Sequence, residues 1–217
     1  MTVAERIPLF PLGVVLLPEA LLPLHIFEER YKEMIAVCLE QDGEFGVVYY
    51  NGSEMRSMGC TARILRVLKR YPDGRMDILT QGERRFRIED LVEEKAYMES
   101  NVSFFDDEEE DRTEAMEALA TEGLDLLMQI EEISGQHVAR ELGEMIDPKV
   151  ASYLIASSEG FTAEEKQGFL EMTSTRERLE KGVESLRRIL ERVRLTKQIR
   201  KIIGGNGHVL KLARGLE

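Results

Sequence analysis

Between Ile7 and Tyr31 the chain reads IPLFPLGVVLLPEALLPLHIFEERY, an apolar run long enough to cross a membrane but broken by Pro8, Pro11, Pro18 and Pro23. Each proline fixes its own φ, removes an amide donor and pushes the preceding residue toward an extended conformation. A membrane span must satisfy every backbone donor internally, so these prolines and Glu19 argue against insertion. The opening MTVAER balances one acid against one base, and no small-residue cleavage site follows, so no signal peptide is expected. The run instead predicts two short buried strands, about Ile7–Phe10 and Leu21–Phe27, joined by an irregular loop. A helix then starts at Glu28, with acids in its first turn, where a carboxylate meets the positive end of the helix dipole.

Tyr31, Met34, Ile35, Cys38 and Leu39 continue that helix to about Gln41 as an apolar face, and Asp42-Gly43 stops it. Strands are predicted at Phe45–Tyr50, Cys60–Tyr71, Met76–Thr80, Arg85–Ile88 and Tyr97–Phe105. Pro72-Asp73-Gly74 and Gln81-Gly82-Glu83 serve as turns between them. Phe86 and Ile88 face one way and Arg85 and Arg87 the other. The pattern fits a small, partly closed antiparallel sheet. Six adjacent acids, Asp106–Asp111, then read as a solvated connector.

Beyond the acids the periodicity is helical. Helices are predicted over Thr113–Ile133 and Gln136–Met145. Another runs from Asp147-Pro148, an N-cap and first-turn proline, to about Ser157. Thr162 and Glu165 form a capping-box pattern for a helix ending near Met172. The last helix, about Ser174 to Ile203, carries the heptad seam Leu179, Val183, Leu186, Leu190 and Val193. The seam lapses at Lys197, so the final turns project or meet another surface. Gly204-Gly205-Asn206-Gly207 is expected to end the helix and leave a flexible tail. The organisation is therefore a β-rich part over residues 1–105, a helical part over 106–203 and a tail over 204–217.

Several blocks carry a resemblance. PLFPLGVVLLPEALLPLHIFEERYKEMI resembles the opening of the Lon protease N-terminal domain, the substrate-binding domain of that family. FGVV at Phe45–Val48, GCTARILRV at Gly59–Val67, DGRMDILTQGERRFRI at Asp73–Ile88 and EEKQGFLEMTSTRERLEKGVESL at Glu164–Leu186 follow in the family's order. The resemblance covers about Ile7 to Leu190. It implies an α+β fold, a Lon-N or PUA-like β pseudo-barrel followed by an α-helical bundle closed by a long C-terminal helix. It also implies binding of unfolded or hydrophobic protein segments beside a protease or chaperone.

Charge and chemistry narrow the function. The net charge is −12, but residues 176–217 hold 12 Lys+Arg against 5 Asp+Glu, leaving 17 against 36 for the rest. An acidic body does not attract nucleic acid, whose binding rests on phosphate neutralisation. The alternative, an RNA-binding PUA-like module, would use Arg187, Arg188, Arg192, Arg194, Lys197, Arg200 and Lys201 on the basic helix. Cys38 and Cys60 read as reduced thiols in a cytoplasmic protein. His25, His137 and His208 lie apart, without metal spacing, and His25 is expected to bond backbone. GGNGH lacks the Lys and Ser/Thr of a phosphate loop, and no G-x-S-x-G elbow occurs. No cofactor, no metal and no catalysis are expected, and a hydrolase is the least supported reading.

Apolar residues at predicted loop positions supply the candidate peptide-binding set: Leu16, Leu17, Met55, Met58 and Tyr71. Methionine is flexible and polarisable and can follow irregular apolar partners. Glu28 and Arg30 are expected to be architectural, Glu28 capping the helix and Arg30 tying it to a neighbouring element. Self-association through the last helix is a further expectation.

Overall fold

The computed structural model describes residues 5–135 and 146–213. The β-rich part comprises β1 (Glu5–Leu12), β2 (Leu21–Ile26), β3 (Phe45–Tyr50), β4 (Met55–Arg70), β5 (Met76–Val92) and β6 (Glu99–Phe105), with α1 (Glu29–Gln41) inserted after β2. The helical part comprises α2 (Glu114–Ser134), α3 (Pro148–Ala156), α4 (Ala163–Glu171) and α5 (Thr175–Ala213). The helix expected over Gln136–Met145 lies outside the described residues.

Strand β5 organises the sheet because it is long enough to pair twice on one side. Its first half pairs with β2, from Met76 to Gln81, and its second half with β6, from Arg85 to Val92. Strand β4 runs along its other side. Strands β6, β1, β3 and β4 pair in succession, so they close a ring with β5. The sheet is antiparallel except for β1 and β3, which run parallel across the β2–α1 crossover. Strand β2 and the adjoining halves of β5 and β4 extend beyond the ring as a three-stranded wing.

The ring is filled by Ile7, Leu9, Val48, Phe86 and Val102. The Phe86 ring lies over Gly46 and Gly59, where an added Cβ would come within 2.6 Å of it. The opposite face carries Phe10, Phe45, Val47, Cys60 and Ala62. These join α1 and the helical part in one cluster of buried side chains. Phe10 stacks on Tyr31 of α1 with ring centroids 4.0 Å apart.

The expected turn at Gln81-Gly82-Glu83 does not form; β5 runs straight through it. Glycine serves close approach here instead. The Glu19 amide donates to the Gly82 carbonyl and the Gly82 amide donates to Ala20, each at 2.9 Å. A Cβ on Gly82 would fall on the Leu17 carbonyl. Leu16 and Leu17 are consequently buried in the core. Met55 and Met58, expected in a loop, lie instead on a strand, because β4 begins at Met55.

The caps agree with the sequence. Thr113 accepts from the Met116 amide, Asp147 from the Lys149 amide with Pro148 following it, and Thr162 and Glu165 bond reciprocally. Glu28 does not cap. It occupies the N-cap position of α1 without a side-chain cap bond, and it pairs instead with Arg30 at 2.8 Å, both half-exposed. The seam Leu179, Val183, Leu186 and Leu190 is buried, whereas Arg194 to Arg200 are exposed, so α5 leaves the body there. Helix α5 continues through Gly204-Gly205-Asn206-Gly207 to Ala213. Glycine weakens a helix by about 1 kcal/mol each but removes no hydrogen bond.

The acidic run is not simply a solvated connector. The Asp107 side chain is only 4% exposed and takes a guanidinium from each part of the molecule, Arg85 of β5 at 2.5 Å and Arg178 of α5. Tyr153 and Thr175 hydroxyls also donate to it, at 3.1 and 2.6 Å. Arg85 further donates to the Leu170 carbonyl and Arg178 to the Met172 carbonyl and the Ser152 hydroxyl. Arg178 lies over the Tyr153 ring at 3.9 Å. Burial alone would raise the Asp107 pKa, but the Arg178 and Thr175 hydrogen bonds and both guanidinium charges hold it below the usual range. Repulsion along the run misled the sequence reading, because the neutralising arginines lie 22 and 71 residues away.

Three outcomes are expected in chemical denaturation. Gly82→Ala should lose about 2–4 kcal/mol, as overpacking against backbone does. Gly168→Ala, in α4 with nothing within 4 Å of the new Cβ, should gain about 0.5–1 kcal/mol. Asp107→Asn should lose about 3–5 kcal/mol at neutral pH, since two buried guanidiniums lose their charge partner. A carboxyl whose folded pKa is depressed contributes fully above its unfolded value near 4 and loses that contribution as pH falls through the folded value. The deficit of Asp107→Asn should therefore shrink progressively as pH falls below about 4.

Candidate functional site

The β2 sequence LLPLHI alternates in burial, with Leu22, Leu24 and Ile26 turned inward and Leu21, Pro23 and His25 outward. A half-solvated strand ordinarily presents polar residues outward. Here Leu21 is 59% exposed, and so is Phe27 just after the strand. Cross-strand register places three rows on this outer face. They are Leu21–Gln81–Arg63, Pro23–Leu79–Arg66 and His25–Asp77–Lys69. Strand β4 is irregular between Ile64 and Arg66 and between Val67 and Lys69, and the interposed Leu65 and Leu68 are exposed. The inner face packs on the core through Ile26, Met76 and Ile78 beside Met34 and Ile35 of α1. The outer face thus carries exposed apolar side chains among charged ones, on a sheet whose other side packs on the core.

The sequence-chosen residues do not form one surface. Leu16 and Leu17 lie in the expected loop between β1 and β2, but their side chains are buried in the core and not open to a peptide. Met55 is half-buried against the ring interior. Met58 is half-buried on β4, and its carbonyl accepts from Gln167 at 3.2 Å. Tyr71 stands at the far end of β4, on the wing. Its hydroxyl donates to Asp77 at 2.8 Å, and Lys69 and Arg75 lie over its ring. Leu21, Phe27, Leu65 and Leu68 were missed because a leucine in a predicted strand is ordinarily taken as core. The usable signal was leucine on both faces of β2 and extra leucines between the bases of β4.

His25 bonds a side chain, not backbone: its Nδ1 lies 2.6 Å from Asp77 Oδ1. The His25 and then the Tyr71 hydrogen bonds hold the Asp77 pKa below the usual carboxylate range. Among the described residues no Ser hydroxyl or Cys thiol is hydrogen-bonded to His25 or Asp77. Burial pushes the Cys38 thiol up to about 11, and it raises Cys60 as well, so both stay protonated at neutral pH. Among the described residues no cluster of His, Cys, Asp and Glu could hold a metal.

A cleft of about 500 Å³ between the ring and α3 is the rival site, lined by Glu19, Arg84, Phe104, Lys149 and Tyr153. Its cations already have partners. Arg84 pairs with Glu5 and Glu44, and Lys149 with Asp106. On the basic helix, Arg187 pairs with Glu122 and Arg194 with Gln129 of α2, while Arg192, Lys197 and Arg200 are exposed.

The model of the ATP-dependent protease La (LON) substrate-binding domain matches residues 6–188. The chain belongs to the Lon substrate-binding domain family. Lon protease 2 of Myxococcus xanthus is 28% identical over 94% of this chain, and the Lon protease of Geobacter metallireducens 30% identical over 86%. This chain spans about a quarter of the length of these relatives. In fold it is similar to a Lon N-terminal domain protein from Xanthomonas campestris, with TM-score 0.65 and 23% identity over 82% of this chain and 96% of that one. It is likewise similar to the N-terminal domain of a Mycobacterium avium complex Lon protease, with TM-score 0.66 and 20% identity over 84% and 98%. The α+β architecture with a long last helix is therefore that of Lon N-terminal domains. No helix among the described residues is long and apolar enough to cross a membrane.

Thiol chemistry checks the burial assignments. A water-soluble disulfide reagent is expected to leave both cysteines of the native protein unmodified at about pH 8 and to label both after unfolding.

Proposed function

We propose that this Lon-type domain is a non-catalytic recognition module that binds unfolded or hydrophobic protein segments on the outer face of the wing, as an adaptor or regulator of proteolysis. The observation that carries the reading is the exposure of Leu21, Phe27, Leu65 and Leu68 on one small sheet whose other side is sealed by core. Rigid support matters because a preorganised apolar surface loses little conformational entropy when a segment lies on it. Membership of a substrate-binding family supports the same reading. The projecting part of α5, with Leu195 and Ile199 exposed, supports self-association or attachment to a partner.

Fluorescently labelled unfolded casein provides the test by anisotropy. Burying a Leu or Phe side chain contributes about 1.5–3 kcal/mol, and 1.4 kcal/mol is tenfold in affinity. Leu21→Ser with Phe27→Ser should therefore weaken binding at least about tenfold while leaving the unfolding midpoint nearly unchanged. Loss on Met55→Ser with Met58→Ser instead would move the surface to the other end of β4. Absence of casein binding by the unaltered protein, with salt-sensitive binding of single-stranded RNA, would favour the basic helix and the RNA alternative.

A further inference from the structure

The outer face of the wing is graded across its strands. Its β2 column is mostly apolar, Leu21, Pro23 and Phe27, with His25 between the last two paired to Asp77; its β4 column is basic, Arg63, Arg66 and Lys69, with Asp77 facing Lys69. Arg63 is partnered by Glu83. Arg66 makes no ion pair among the described residues, and Lys69 lies over the Tyr71 ring. The chain as a whole is acidic, so a basic column here runs against its average. The edge of the wing is also blunted. Strand β2 pairs on one side only, and Pro23 at its middle has no N–H to offer an added strand. A partner therefore lies across the face and not along the edge.

Resting on the reading of the wing as a peptide surface, we infer that it selects extended polypeptide segments in which apolar residues are followed closely by acidic ones. The geometry sets the spacing. Columns β2 and β4 are two strand spacings apart, about 10 Å, which an extended chain covers in about three residues. Side chains of an extended segment alternate between faces, so that span falls between the same-face steps of about two and about four residues; an apolar side chain seated between Leu21 and Phe27 then places a carboxylate at one of those steps within reach of Arg66 and Lys69. The leucines between those bases, Leu65 and Leu68, make the second column amphipathic, so it accepts an acidic residue together with an apolar neighbour. Charge supplies discrimination here more than gross affinity, since rim charges are exposed and screened by salt.

Three labelled peptides of one apolar core test this with the full chain, carrying Asp/Glu, Ser or Lys at the flanking positions. The acidic peptide is expected to bind about tenfold tighter than the Ser peptide at low salt, an advantage that fades near 1 M salt where screening is nearly complete. Arg66→Glu with Lys69→Glu should abolish that advantage while the Ser peptide binds as before. Equal affinity of the acidic and Ser peptides for the unaltered protein would overturn the charge selection and leave the apolar surface standing. Failure of all three peptides to bind would remove the peptide surface itself. Concentration-dependent dimerisation abolished by Leu21→Ser with Phe27→Ser would assign the face to a second copy of the chain and overturn the inference.

Discussion

Asp107 is the point on which the molecule turns. A carboxylate leaving the last strand meets one guanidinium from the ring and one from the last helix. Neither arginine could be buried alone, because an unpaired guanidinium at this depth costs several kcal/mol. Two guanidiniums against one carboxylate would still leave an excess positive charge. The Leu170 and Met172 carbonyls and the Tyr153 face take up that remainder. These acceptors come from α3, α4 and the segment before α5. One residue therefore fixes how four elements meet, and apolar packing around it supplies bulk stability without having to specify the angle.

The orientation so fixed leaves the wing free. The helical part attaches on the side of the ring where Arg85 emerges, in the second half of β5. The wing uses the first half. A single long strand thus separates two duties along its own length, one half closing the ring against the helices and the other carrying an exposed face. Gly82 marks the division, and its missing side chain lets the proline-rich loop cross β5 there. That crossing buries Leu16 and Leu17 and sets where β2 must begin.

Local chemistry made most of the fold legible. Caps such as Thr162 with Glu165 are contained within four residues and could be read outright. The proline spacing excluded a membrane helix, and the heptad seam of α5 predicted both its docking and where docking ends. What escaped was long-range. Arg85 was read as an outward charge because nothing near it in the chain announces Asp107 or Arg178. The glycine in Gln81-Gly82-Glu83 was read as a turn because turn and close approach call for the same residue. The site was least legible. Leu21 and Phe27 are indistinguishable from core residues until the register shows which face they share.

A leucine left at 59% exposure, as Leu21 is, is stable in this setting only because its strand does not depend on it. Leu22, Leu24 and Ile26 anchor β2 from beneath, and all six backbone pairings to β5 run from Leu21 to Ile26. The outer residues therefore contribute little to folding and are free to be chosen for contact. The same logic explains the irregularities of β4. A bulge costs a ladder bond but turns an extra side chain out of register, and both β4 irregularities on the wing add a leucine between basic residues. Each interruption leaves Leu65 or Leu68 exposed while Ile64 and Val67 still pack toward the core, so the wing keeps its inner face where its ladder is broken.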